Sequence, residues 1–170
     1  MLKRALVCLP LLTYSISADA QVQITDSIGS TEFKSILSDV HIAVADMQSA
    51  ADDLKTFTTV EAADFLQRQN KHNANKPPPC PPENPGPCDR YNDEAARLRT
   101  EQARLMARER ALHEKFEYAK SHYMIIMGRL RIAGFVGCLR AFRDDIVSCS
   151  NIADPRAAES CLKDVWAQHC

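Results

Sequence analysis

The chain has 170 residues, 21 basic and 22 acidic, for a formal net charge of −1. That length suits one domain, and the near balance of charge excludes a general attraction to nucleic acid. Only five glycines occur, so there is little loop material in which to build a pocket, whereas seven cysteines point to covalent crosslinking.

Residues 1–20 read as a secretory signal peptide. Lys3 and Arg4 form a positive start, residues 5–16 are apolar but too short to span a bilayer comfortably, and Ala18-Asp19-Ala20 is a small-residue cleavage site. Cleavage there leaves Gln21 first. It also removes Cys8, leaving an even set of six: Cys80, Cys88, Cys138, Cys149, Cys161 and Cys170. An even set in an exported chain reads as a disulfide framework, and the absence of any C-x-x-C pair argues against zinc. Without Lys3, Arg4 and Asp19 the 21 basic and 22 acidic residues become 19 and 21, a net of −2. The expected location is periplasmic or secreted.

In the mature chain, residues 21–72 form an N-terminal arm and amphipathic helices. Residues 21–29 alternate briefly as an extended arm. Ser30 or Thr31 then caps a helix on which Phe33, Ile36, Leu37, Val40, Val44, Met47, Ala51 and Leu54 recur at threes and fours, ending near Phe57. Thr58-Thr59-Val60-Glu61 has the capping-box pattern and opens a shorter helix with Ala62, Phe65 and Leu66 on one face; the alternative is a kink within one helix. His41, among polar positions, reads as a surface histidine. Residues 73–88 are a Pro-rich linker, since seven of the nine prolines fall between positions 77 and 87. Cys80 and Cys88 flank this loop's turn at Asn84-Pro85-Gly86, so a local Cys80–Cys88 bridge is the simplest pairing. The loop is either a presented recognition element or a stapled linker.

Residues 89–170 hold a long helix and a C-terminal cysteine hairpin, forming one domain with 21–72. The proline-free stretch 89–149 is the centre of the chain, and its helix starts near Asp89 or Asn92. Alternating fours and threes from Leu98 through Gln102, Leu105, Glu109, Leu112, Phe116, Ala119, Tyr123, Ile126, Leu130, Ala133 and Gly137 give a near-heptad stripe, apolar or small at all but Gln102 and Glu109. Residues 21–72 carry eight acidic and four basic side chains, and 89–149 carry nine and twelve. The two segments should therefore pack antiparallel. The segment 124–142 turns apolar, but Arg129, Arg131 and Arg140 oppose a membrane span at roughly 2.5–3.5 kcal/mol each near a bilayer centre. Either it is the most buried part of the bundle or it is a sticky docking surface.

Asp154-Pro155 marks the start of the last helix, with Ala158, Cys161, Leu162, Val165 and Trp166 on its apolar face and Trp166 packed on the end of the long helix. Two antiparallel helices joined by a tight turn would bring Cys149 to Cys161 and Cys138 to Cys170. That resembles a twin C-x(9)-C helical hairpin, with spacings of ten and eight instead of nine. The expected fold is all-α: an elongated antiparallel bundle built on one long helix, with a disulfide-stapled C-terminal hairpin.

No catalytic motif, metal-ligand spacing or cofactor fingerprint occurs. His113, Glu117 and His122 lie on a charged helix without a third ligand set, and Asp144-Asp145 is an unpartnered carboxylate pair. The chain therefore reads as a non-enzyme without cofactor or metal. Its expected interaction surface is Pro82, Asn84 and Pro85 of the loop with Ile125, Leu130 and Phe135 of the apolar segment. Expected partners are other envelope or secreted proteins, with no nucleic acid, and a homo-oligomer through the long helix.

Ala20-Gln21-Val22-Gln23-Ile24-Thr25-Asp26, followed by the helix from Thr31, resembles the start of the minor pilins of bacterial type IV secretion and conjugation systems. The resemblance implies an exported, elongated helical bundle assembled at or near a pilus tip. The Pro-rich cysteine loop and the cysteine hairpin depart from that family's pattern. Two other expectations remain: a secreted inhibitor or adhesin presenting the Cys80–Cys88 loop, and a carrier of small apolar ligands.

Overall fold

The computed structural model describes residues 27–80 and 82–169. The expected leader, residues 21–26 of the expected arm, Pro81 and Cys170 lie outside the described residues, and with Cys170 the expected Cys138–Cys170 bridge.

The fold is all-α, as the periodicities require. After a two-residue strand β1 (Ser27–Ile28) come α1 (Ser30–Thr56), a π-helical turn (Phe57–Glu61), α2 (Ala62–Ala74) and α3 (Gly86–Ile132). A strand β2 (Gly134–Phe135), a 3₁₀ segment (Gly137–Phe142), α4 (Arg143–Ser150) and α5 (Pro155–His169) complete the chain. The π turn joins α1 to α2 without a break, so a nearly continuous rod runs antiparallel to α3. The 47 residues of α3 make it about 70 Å long at about 1.5 Å per residue. This hairpin is a stalk. At one end α4 and α5 pack against it and form a head; at the other the Pro-rich loop closes the tip.

The ion pairs between the rods confirm the antiparallel charge match. Glu32 meets Arg129 at 3.3 Å, Asp53 meets Lys115 at 2.8 Å and Glu61 meets Arg108 at 3.0 Å. Arg68 grips Glu101 at 2.6 Å. All but the half-buried Glu61 and Glu101 carboxylates are largely exposed, so each pair adds only a few tenths of a kcal/mol to about 1 kcal/mol. Burial supplies the rest. The main core sits in the head, where Phe33, Ile36 and Val40 of α1 meet Met127 and Leu130 of α3, Leu139, Ile146 of α4 and Leu162 of α5. A smaller cluster, Phe57, Phe65, Leu98 and Leu105, holds the outer stalk.

Several boundaries differ from those read in the sequence. The N-cap of α1 is Gly29, without a side-chain cap; Ser30 is already helical and its Oγ lies 3.2 Å from Cys138 Sγ. The capping box at Thr58 is unused. Thr58 and Thr59 instead donate to the carbonyls of Leu54 and Lys55 one turn back, at 2.9 and 2.8 Å, which suits hydroxyls inside a helix. α3 starts at Gly86, before Asp89, because Pro87 is tolerated in a first turn where its missing N–H has no partner to lose.

The largest correction is at the other end of α3. The helix does not run on to Cys149 but stops at Ile132, and Ala133 is extended at φ −65°, ψ 142°. β2 then pairs in parallel with β1, Ser27 opposite Gly134 and Ile28 opposite Phe135. Gly137 turns the chain with φ 65°, a conformation that favours glycine. Cys138 and Cys149 therefore do not share one helix face; a 3₁₀ segment and a helix start separate them. α4 and α5 form the hairpin, bridged by Cys149–Cys161 with a Cα separation of 5.5 Å. Asp154 caps α5 as expected, its Oδ1 accepting from Ala157 N at 2.8 Å. Trp166 packs against Phe33 of α1, ring centroids 5.9 Å apart, where the sequence suggested the end of the long helix.

Candidate functional site

The expected interaction residues separate into exposed and buried groups. Pro82, Asn84 and Pro85 are exposed at the tip. Ile125 is 64% exposed on α3. Leu130 at 0% and Phe135 at 6% are core residues and belong to no surface, which corrects the docking reading of 124–142 for those two positions. The segment splits by helical phase. Tyr123, Ile126, Met127 and Leu130 face the head core, while Met124, Ile125 and Ile132 face outward.

The tip is built on the stalk's last turns. Cys80–Cys88 closes the loop with a Cα separation of 6.1 Å, and Cys88 already lies in the first turn of α3. One bond thus anchors the exposed polyproline run directly to a rigid helix. Below it, the His72 ring of α2 stacks on Tyr91 of α3, centroids 4.0 Å apart and planes 15° from parallel. Arg68 forms the next brace: both terminal nitrogens donate to the two Glu101 oxygens at 2.7 and 2.6 Å, and Nε donates to Asp64 at 3.0 Å. The hydrogen bonds from Arg68 hold the Glu101 carboxyl below its ordinary value, with burial opposing. Arg104, three positions further along α3, lowers it further only through a longer-range charge interaction. Such a tip can present a fixed apolar loop to another protein.

A second feature was not visible in the sequence. A groove of about 750 Å³ runs between α1 and α5, lined by His41, Gln48, Asp52, Arg156, Glu159 and Lys163 among others. At its floor Glu159, a buried carboxylate, accepts from His41 Nδ1 at 2.7 Å and from Lys163 Nζ. Burial alone would push the Glu159 carboxyl up, but the hydrogen bonds from Lys163 and His41 outweigh it and the net shift is down. His41 is a surface histidine, as expected, yet it also clamps α5 to α1. No sequence signal could give this, because His41 and Glu159 are 118 positions apart.

His113, Glu117 and His122 lie exposed on α3, and Glu117 reaches Lys120 at 3.6 Å. Among the described residues no group of three His, Cys, Asp or Glu side chains is placed to hold a metal ion. No helix among them is long and apolar enough to cross a membrane. No protein-family model, curated protein or solved structure matches this chain.

Proposed function

We propose that this chain is an exported structural and interaction protein of the cell envelope, associated with a type IV secretion or conjugation pilus. The observation that carries the reading is the stalk: two antiparallel helical rods, about 70 Å long by helix rise, that set a disulfide-pinned loop far from the head. A rod of this kind suits contact between proteins at a distance. The Cys80–Cys88 and Cys149–Cys161 disulfides suit an oxidising compartment. The resemblance of residues 20–26 to the minor pilins gives the pilus association.

The test is fractionation of cells expressing the chain, with transfer assays on a deletion strain. The chain should be found in the periplasm and with sheared pili, and its loss should reduce DNA or protein transfer. Recovery only from the cytosol, or undiminished transfer in the deletion strain, would sink the reading.

The exposed Pro82, Asn84 and Pro85 favour one alternative, a secreted inhibitor or adhesin that binds through the loop. Replacing residues 81–87 by a Gly-Ser linker would then abolish binding to the target while leaving the stalk folded. The apolar-ligand carrier draws no support from a groove lined by His41, Asp52, Arg156 and Lys163, which is open and charged.

A further inference from the structure

α3 carries a second heptad stripe, on the side away from its core. Ala107, Ala111, Glu114, Tyr118, Ser121, Ile125, Gly128 and Ile132 follow one another by alternating fours and threes. All are exposed except the half-buried Gly128, and the large members stand out: Tyr118 at 77%, Ile125 at 64% and Ile132 at 43%. On a helix these positions lie about half a turn from Leu105, Leu112, Ala119 and Tyr123, which face α1. A Cβ built on Gly128 would meet nothing within 4 Å, so packing within the chain does not call for glycine there.

We propose that this outer stripe is the interface of an antiparallel homodimer, two copies of α3 lying side by side about a twofold axis midway between Tyr118 and Ser121. This stands apart from the pilus reading. The argument is self-complementarity, which a twofold interface demands. In that register Tyr118 of one copy lies opposite Ser121 of the other, Ile132 opposite Ala107, and Gly128 opposite Ala111. Large residues meet small ones, and the closest approach falls at a Gly–Ala layer. The remaining layer, which the twofold repeats, sets Glu114 against Ile125, a charged seam position of the kind that fixes register at some cost in stability. The stripe runs about 37 Å along the helix. Its contact area falls at or below the roughly 800 Å² per partner of a standard interface, so the dimer is reversible. An α1–α3–α3–α1 layer results, with the two tips pointing in opposite directions.

The test uses the purified, oxidised chain in sedimentation equilibrium, with two variants of equal polarity. Ile125→Glu places Glu against Glu114 and should weaken the dimer by about tenfold or more. Ile125→Lys places an ammonium against Glu114 and should stay within about threefold of the parent. Circular dichroism checks that both fold, as a substitution at an exposed position allows. In parallel, Ala111→Cys with Gly128→Cys should give an interchain disulfide on mild oxidation, and neither single substitution should. A parent that stays monomeric up to about 100 µM would overturn the proposal, that limit lying well above the micromolar affinity of weak interfaces. So would equal weakening by Glu and Lys, or crosslinking of the single-cysteine chains. Those results belong to a parallel pairing or to a surface that receives a different protein.

Discussion

Tyr123 places its ring in the head core, but its hydroxyl is buried and has no hydrogen-bond partner among the described residues. Burial pushes the phenol pKa up, with Asp154 adding and Arg131 opposing. An orphaned buried hydroxyl costs free energy that its removal restores, so Tyr123→Phe should leave the melting temperature unchanged or raise it, by up to about 1 kcal/mol in chemical denaturation. A drop of more than that would mean the hydroxyl has a partner. Glu159 gives the opposite case. Its carboxyl titrates below its ordinary value of 4.5 in the fold, so the clamp on His41 and Lys163 contributes stability above about that pH. That contribution is lost as pH falls through the lowered native value. Trp166 emission, which reports the contact between α5 and Phe33, should therefore shift on acidification below pH 4.5. In Glu159→Gln the acid step should be absent and the neutral-pH stability lower. An unchanged acid step in the variant would place the titration on another carboxylate.

At the scale of elements, the π turn is informative. Phe57 and Phe65 both face α3, and a step of eight positions from one to the other is about one more than two regular turns supply. The π turn accommodates that extra residue and keeps Phe65 in phase. Deleting the exposed Val60 should convert residues 57–61 to regular α-helix and leave Phe65 buried. The chain should then melt within a few degrees of the parent. Deleting Ser49 instead rotates everything after it by about 100° and should markedly destabilise the stalk. Equal loss from the two deletions would show that the π turn has a role beyond phase. The α4–α5 hairpin depends on its bridge more than α3 does. With 12 positions between Cys149 and Cys161, the chain-entropy estimate is about 3 kcal/mol. Cys149→Ser with Cys161→Ser should lose hydrogen-exchange protection in α4 and α5 and keep it along residues 98–130. Loss along α3 would make the disulfide the organiser of the whole head.

The whole molecule is a head with a stalk, and its stability should grade accordingly. The head buries residues from β1, α1, α3, β2, the 3₁₀ segment, α4 and α5, whereas the outer stalk rests on Phe57, Phe65, Leu98 and Leu105 with exposed ion pairs. Little buried area and solvent-facing backbone are the marks of low opening free energy. Native-state hydrogen exchange should show α2 and residues 86–104 opening well before residues 30–44 and 119–132. Reducing Cys80–Cys88 should loosen the tip alone, since a loop of eight positions constrains little outside itself. Uniform protection from head to tip would mean that the stalk folds and unfolds with the head as one unit.

The sequence by itself determined the helices, the charge match of α1 with α3, the Pro-rich break and two of the disulfides. Each of these is a local pattern or a pairing across a short turn: period 3.6 in Phe33 to Leu54, acidic against basic segments, Asp154-Pro155 as a helix start, and cysteines 8 and 12 positions apart. Only the tertiary structure decided where α3 ends. Residues 124–149 contain no proline, and Gly134 and Gly137 only lower helix propensity, so the local sequence does not require the helix to stop at Ile132. Pairing of β2 with β1 does, because Ser27 and Ile28 offer Gly134 and Phe135 a strand partner more than a hundred positions away in the chain. The same non-local packing sorted 124–142 into core and surface, sent Trp166 to Phe33, and joined His41 to Glu159. A one-dimensional pattern shows which face of a helix is apolar, but when both faces of α3 carry heptad spacing, only the position of α1 tells which one is inside.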